Sequence, residues 1–124
     1  NPNRQSEYLV ILTPNLYGDI LTDEAAQLQG GVGTAGSGNI GDRYAMFEAI
    51  HGSAPRMVEM GRGKYANPSS LLKAAEMMLN HIGMTDKAHK LKEALDETSK
   101  AMKMTGKGDG NTGEDYVTMV LSKI

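Results

Sequence analysis

Short apolar runs and amphipathic stretches divide the first half of the chain into its predicted elements. The run Tyr8–Thr13 (YLVILT) is rich in β-branched residues and predicts a buried strand. Over Asp19–Gln29 the apolar positions recur at helical spacing, and Gly30-Gly31 ends the helix that this pattern predicts. Ala45–Ile50 (AMFEAI) predicts a second short strand.

The second half of the chain is predicted to be mainly helical. Asn67 and Pro68 begin a helix, with Asn67 as its N-cap and Pro68 at its first position, and Gly83 ends it. Thr85 or Asp86 caps the next helix, in which apolar residues alternate with Lys, Glu and Asp. The two helices are therefore predicted to form a helical hairpin.

Two stretches rich in turn residues interrupt this pattern. Six of the twelve residues from Gly30 to Gly41 are glycine, which predicts a loop whose backbone can approach a ligand closely. It follows a helix and lacks the order of a Rossmann fingerprint or a P-loop, so it is either a surface loop or a backbone wall against a cofactor. After Thr105–Gly113, Tyr116–Ile124 predicts a last amphipathic helix.

The alternation of strands and helices predicts an α/β fold with a largely parallel sheet flanked by helices. A length of 124 residues predicts one domain or a piece of one. Two strands cannot form a parallel sheet that is covered on both faces, so we expect the fold to be incomplete in this chain.

Composition excludes several classes of protein. The 13 Lys and Arg residues nearly balance the 15 Asp and Glu residues, which argues against nucleic acid or an anionic membrane as the main partner. The chain has no cysteine, which excludes a disulfide scaffold and a thiolate metal site and fits a cytoplasmic protein. No apolar run approaches the ~20 residues that cross a bilayer. Because the chain begins Asn1-Pro2, with neither an initiator Met nor a signal peptide, we expect a fragment.

The acidic pair Asp19 and Asp23 is the first candidate for chemistry. Residues four apart at the start of a helix lie on one face, within about 6 Å of each other. Asp19 can be a helix cap and Asp23 a favourable charge near the positive end of the helix. Alternatively, the two carboxylates bind Mg²⁺ or Mn²⁺, which prefer oxygen ligands and take one or two carboxylates together with substrate oxygens.

His51 and Glu48 lie at the end of the second predicted strand. The His51 ring is placed to stack on a flat ligand or to hydrogen-bond a ribose, although a lone histidine is more often structural. Glu48 either faces solvent or lines a cleft at the end of the strand. We interpret His81 and His89, on the helices, as residues without a catalytic or binding role.

Five motifs in order resemble the carboxyl-terminal part of the β-decarboxylating dehydrogenases, the family of isocitrate, isopropylmalate and homoisocitrate dehydrogenases. The resemblance is strong over residues 9–83 and is closer to the isocitrate dehydrogenases, because Leu16-Tyr17 replaces the Met-Phe usual in isopropylmalate dehydrogenases. The motifs are YGDILTD (17–23), GGVG (30–33), NIGD (39–42), FEAIHGSAP (47–55) and NP (67–68).

The resemblance implies a fold, two domains and a set of site residues. Residues 1–29 would end the small domain that binds substrate and metal and forms the dimer, and residues 30–124 would complete the large cofactor-binding domain. Asp19 and Asp23 would bind Mg²⁺ or Mn²⁺. The cofactor-binding residues that it implies are Glu48 near the nicotinamide, His51, Gly52, Ser53 and Ala54 around the adenosine and its phosphates, and Asn67 at the adenine.

The resemblance also bears on the choice of cofactor. NAD-dependent members usually carry Asp at the position of Arg56, and an arginine there suits the 2′-phosphate of NADP. NADP is therefore expected over NAD. Met57 departs from the Tyr common in bacterial NADP-dependent members, and Thr105–Gly113 lacks their further Tyr and Arg.

The function implied is metal-dependent oxidative decarboxylation of a 2-hydroxy acid, with isocitrate expected and isopropylmalate or homoisocitrate as alternatives. The acid/base Tyr and Lys of the family and its substrate-binding Arg cluster match nothing here, so no catalytic acid/base residue is assigned and the 124 residues alone are expected to be inactive. The family forms homodimers. A non-catalytic regulatory or nucleotide-binding subunit is the alternative of another class, and a structural fragment that self-associates is a third.

Overall fold

The computed structural model describes residues 10–29 and 31–124. Helix α1 spans Asn15–Gln29, so it begins one turn before the predicted start at Asp19. This extra turn forms because the Gly18 amide donates to the Pro14 carbonyl at 2.9 Å. The predicted end is confirmed: Gly31, at φ 101°, leaves the helical conformation while its amide donates to Ala26.

The first predicted strand is wrong in the part that the structure describes. Residues 8 and 9 lie outside the described residues, and residues 10–14 form neither strand nor helix. Val10 and Leu12 are 85% and 96% exposed. A buried strand needs a hydrogen-bonded neighbour, and the described part of the chain places none beside this run.

The sheet of the described residues is a two-stranded antiparallel hairpin, not the predicted parallel sheet. Strand β1 spans Gly36–Ile40 and strand β2 spans Ala45–Ala49, with Gly36 opposite Ala49 and Ile40 opposite Ala45. The prediction of β2 is confirmed. The loop prediction over Gly30–Gly41 is wrong for β1, because pairing with β2 supplies the hydrogen bonds and packing that glycine cannot provide locally.

The hairpin packs on helix α3, which spans Ser69–His81. The contact is close at Gly36, where a Cβ atom would lie 2.6 Å from the Ala74 nitrogen. At the last residue of α3, the centroid of the His81 ring lies 5.4 Å from the centroid of the Phe47 ring of β2. Helix α3 therefore covers one face of the hairpin.

Between β2 and α3 the chain forms helix α2 (Pro55–Glu59) and a 3-10 turn (Gly63–Tyr65). Asn67 contributes the predicted capping hydrogen bond, since its Oδ1 accepts from the Ser69 amide at 3.0 Å. The cap position itself belongs to Pro68, so the prediction that Pro68 is the first helical residue is off by one.

Helix α4 spans Thr85–Ala101 and forms the predicted hairpin with α3. Neither Thr85 nor Asp86 caps it: Met84 precedes the helix, without a side-chain cap hydrogen bond. No helix in the described ranges is long and apolar enough to span a bilayer.

Helix α5 spans Gly113–Leu121 and confirms the last predicted helix, although it ends three residues earlier. Thr112 and Asp115 form a capping box. The Thr112 hydroxyl and the Thr112 amide both donate to the Asp115 carboxylate. These hydrogen bonds, the one from the hydroxyl more than the one from the amide, hold the pKa of Asp115 below its ordinary value. The core lies between α3, α4 and α5 and contains Leu91, Ala94, Leu95, Tyr116 and Val120.

Candidate functional site

An open cleft of about 600 Å³ lies beside the turn that follows β2, between segments from three other parts of the chain. Its walls are Gly33-Thr34, His51–Ala54, Met57-Val58, Gly63, Tyr65–Asn67 and Met104–Gly106. The lining combines backbone groups of glycine and the hydroxyls of Thr34, Ser53 and Thr105 with apolar side chains. This mixture of apolar surface and a few polar groups is typical of a site for an organic ligand.

Two serines in the first turn of α3 hold two of these walls together. Ser69 and Ser70 are buried, and the Ser69 hydroxyl donates to the Gly33 carbonyl at 3.1 Å. The Ser70 hydroxyl donates to the Ala35 carbonyl and accepts from the Ile50 amide at 3.3 Å. The glycine-rich segment and the end of β2 are therefore attached to the same helical turn.

We expect Ser70→Ala to lower the free energy of unfolding by about 2 kcal/mol, because it leaves the half-buried Ala35 carbonyl and Ile50 amide without their partner. Urea unfolding followed by circular dichroism measures the loss. Ser122→Ala is the matched control, since the Ser122 hydroxyl is exposed and donates to Met119 on its own helix. Equal stability of the two variants would show that Ser70 does not hold the walls.

The turn after β2 has an unusual backbone. Ala54 adopts φ 47° and ψ 56°, and it is the one non-glycine residue at positive φ in the described part of the chain. This conformation is rare for residues with a Cβ atom, and such residues cluster at functional sites. A Cβ atom at Gly52 would meet nothing within 4 Å, so the backbone here faces open space in the cleft.

Five of the seven residues predicted to bind the cofactor line this cleft: His51, Gly52, Ser53, Ala54 and Asn67. His51–Ala54 precede α2 in the chain and Asn67 follows it, and the fold brings both to the same cleft. His51 is exposed, and its Nδ1 lies 3.0 Å from the Gly52 carbonyl oxygen.

Glu48 and Arg56 do not line the cleft. The register of the hairpin places Glu48 and Asn39 on the same face of the two strands, where the Glu48 Oε1 accepts from the Asn39 side chain at 3.2 Å. Arg56 is exposed on α2, between the lining residues Ala54 and Met57. Both residues remain predicted cofactor ligands.

Asp19 and Asp23 lie on successive turns of α1, and both are exposed. The described residues contain no group of three or more His, Asp or Glu that could hold a metal ion by themselves. Two carboxylates fit a hard cation that takes its other ligands from substrate, water or a further chain segment. Helix α1 contacts the 3-10 turn Val32–Thr34, which leads into the cleft wall.

Sequence reasoning missed the apolar lining and one whole wall. The sequence assigned no site role to Val58, Tyr65 or Met104–Gly106, and Met57 entered only as a departure from the Tyr of bacterial NADP-dependent members. Tyr65 carried a usable signal, because the chain has only five Tyr and one Phe, and the apolar ring and polar hydroxyl of Tyr make it common at interfaces.

The comparison with known families identifies the chain. The model of the isocitrate/isopropylmalate dehydrogenase family matches residues 1–118. The chain belongs to this family. The resemblance of its motifs to the β-decarboxylating dehydrogenases is thereby confirmed.

Individual members of the isocitrate/isopropylmalate dehydrogenase family align with most of the chain. The isocitrate dehydrogenase (NADP) of Rickettsia typhi is 57% identical over 89 residues, which are 72% of this chain and 18% of that protein. The 3-isopropylmalate dehydrogenase of Methanothermobacter thermautotrophicus is 46% identical over 93 residues, 74% of this chain and 27% of that protein.

The fold is also that of a solved family member, the isocitrate dehydrogenase from Methylococcus capsulatus. The TM-score is 0.74 at 37% identity, and the match covers 86% of this chain and 32% of that one. The chain thus spans between about a fifth and a third of the length of these three relatives. It has the partial family fold, in which the described residues form helices and a small antiparallel sheet.

Proposed function

We propose that the protein carrying these residues is a metal-dependent dehydrogenase that oxidises and decarboxylates isocitrate to 2-oxoglutarate, with NADP as hydride acceptor. The single observation that carries the proposal is the convergence of His51–Ala54 and Asn67 on one cleft of dinucleotide-binding chemistry. The relatives named isocitrate dehydrogenase (NADP) support the choice of substrate and cofactor.

In this proposal the cleft holds the adenosine half of the dinucleotide. The apolar side chains of Met57, Val58 and Met104 offer surface for a flat base. Asn67 uses its Oδ1 for the Ser69 amide, which leaves its Nδ2 amino group to donate to a ring nitrogen of adenine. The hydroxyl of Ser53 donates to the phosphates or ribose.

Three further ligands of the cofactor belong to the proposal. His51 borders the ribose, and Arg56, one residue from the cleft wall on α2, pairs with the 2′-phosphate of NADP. Glu48 lies towards the nicotinamide. A chain with arginine at position 56 therefore favours NADP over NAD.

Asp19 and Asp23 hold the divalent ion in this proposal. When bound, Mg²⁺ or Mn²⁺ supplies a Lewis acid to the hydroxyl and carboxylate oxygens of the substrate. The two aspartates contribute negative charge from one face of α1, and the acid/base Tyr and Lys lie on chain segments other than these residues. Residues 1–29 then belong to the small domain and residues 30–124 to the large domain of a homodimer.

The test is a substrate and cofactor panel on the longest natural protein that carries these residues. Isocitrate, 3-isopropylmalate and homoisocitrate are each supplied with Mn²⁺ and either NADP or NAD, and reduction is followed by the absorbance of the reduced nicotinamide. We expect the highest kcat/KM for isocitrate with NADP, and no turnover by the 124 residues alone.

Two other outcomes have defined meanings. Preference for 3-isopropylmalate would establish the second candidate, which is favoured by the 46% identity to an isopropylmalate dehydrogenase. Binding of NADP without oxidation of any of the three substrates would contradict the enzyme and establish a nucleotide-binding subunit.

A further inference from the structure

Two segments that are distant in sequence form facing walls of the cleft. One is the stretch from Met57 to Asn67, and the other is Met104–Gly106. The Arg62 Nε donates to the Gly106 carbonyl at 2.9 Å across a separation of 44 residues. Within the described ranges, no other hydrogen bond joins these two walls.

Local backbone geometry aims Arg62 at the second wall. Gly61, at φ 67°, reverses the chain after α2, and the Arg62 amide donates back to the Met57 carbonyl at 2.9 Å. Arg62 is half-buried, and it is not itself a lining residue. The Arg62 side chain therefore contacts the second wall without lining the cleft itself.

The side chains of Arg62 and Met57 both lie against Gly106. Gly106 has φ 70°, and a Cβ atom there would lie 3.6 Å from Met57 Cε and 3.8 Å from Arg62 Nη2. The second wall thus presents its backbone directly to the side chains of the first wall. These distances are ordinary van der Waals contacts, which place the Gly106 backbone against the side chains of Met57 and Arg62.

Steric contacts support the same junction further from the cleft. A Cβ atom at Gly108 would lie 3.5 Å from the Tyr65 hydroxyl oxygen, and one at Gly113 would lie 2.8 Å from the Ala66 carbonyl oxygen. These contacts bring the segments together but have little directional preference. The charged hydrogen bond from Arg62 supplies the direction at Met104–Gly106.

We propose that Arg62 is a positioning residue that holds the Met104–Gly106 wall at the distance a bound dinucleotide requires. The inference rests on the proposed function and adds a residue that does not touch the cofactor. Without the guanidinium the Met104–Gly106 wall is free to move. Ligand binding must then order this wall, and the cost of that ordering lowers the affinity.

The test compares Arg62→Met with Arg43→Met in the longest natural protein that carries these residues. Arg43 is exposed in the turn between β1 and β2 and provides the same substitution away from the cleft. By calorimetric titration with NADP⁺ we expect Arg62→Met to raise Kd about tenfold and Arg43→Met to leave it unchanged.

Two further readouts separate positioning from general destabilisation. Hydrogen exchange should accelerate over residues 103–112 in Arg62→Met, while exchange in α4 stays as in the wild type. Arg62→Lys retains one donor and the charge, so we expect its Kd to return to within about threefold of the wild type. If Arg62→Met does not fold, Arg62→Ala, which also removes the donor and the charge, carries the test, and a wild-type Kd in it overturns the proposal.

Failure of the inference is distinguishable from failure of the proposed function. A wild-type protein that binds neither NADP⁺ nor NAD⁺ overturns both. A wild-type protein that binds NADP⁺, with an Arg62→Met variant that binds it equally well, overturns the positioning role alone. Faster exchange spread evenly over the whole protein in Arg62→Met also overturns that role.

Discussion

Replacing Asp19 and Asp23 together by asparagine is expected to lower kcat of the dehydrogenase about 10³-fold at a fixed Mn²⁺ concentration. The substitution keeps the size of both side chains but removes the two negative charges that we propose hold the cation. Stabilisation of a developing oxyanion by a metal ion contributes several kcal/mol, and about 4 kcal/mol corresponds to this loss of rate. Initial rates with isocitrate and NADP, measured over a range of Mn²⁺ concentrations, test the prediction.

The matched control is the double variant Glu24→Gln, Asp42→Asn, which also removes two exposed carboxylates, one of them on α1. We expect it to retain the wild-type Mn²⁺ dependence. Wild-type kcat and Mn²⁺ affinity in the Asp19, Asp23 variant would refute their role as ligands. The predicted cap role of Asp19 is wrong, because α1 begins at Asn15 and has no acidic residue in its first turn.

Gly36→Ala is expected to lower the free energy of unfolding by about 3 kcal/mol, because the new methyl group collides with helix backbone. Its Cβ would lie 2.6 Å from the Ala74 nitrogen, 2.9 Å from the Ala74 Cα and 3.0 Å from the Lys73 carbonyl carbon. Backbone atoms inside a helix cannot move aside as a flexible side chain can. Strand β1 must therefore separate from α3, and urea unfolding measures the cost.

Gly33→Ala makes the same chemical change where a Cβ atom meets nothing within 4 Å. We expect its free energy of unfolding to stay within about 0.5 kcal/mol of the wild type. A loss below about 1 kcal/mol in Gly36→Ala would mean that the hairpin is not pressed against α3 as described.

The resemblance of short motifs went further than periodicity in predicting the candidate site. His51–Ala54 and Asn67 were named from motifs, and they line one cleft although up to 16 residues separate them. Glu48 was placed near the nicotinamide by resemblance, yet its side chain bonds to Asn39 across the hairpin. The part played by a strand residue depends on which face it occupies, and that face depends on the pairing of the strand.

The sequence by itself determined the elements whose signal is local. Helices α1, α3, α4 and α5 follow from apolar spacing, because residues three and four apart lie on one helical face wherever the helix is placed. Strand β2 follows from a short apolar run bounded by turn residues. The near balance of charges argues against a polyanion as the main partner, and no apolar run approaches the ~20 residues that cross a bilayer.

Only the tertiary structure decided which distant segments meet. Strand β1 forms from a glycine-rich stretch because β2 pairs with it and α3 packs against Gly36. The wall Met104–Gly106 faces the stretch Met57–Asn67, and Arg62 bonds to Gly106 across 44 residues. Contacts between distant segments depend on how whole helices and strands are arranged in space. The local pattern of apolar and polar residues does not encode that arrangement.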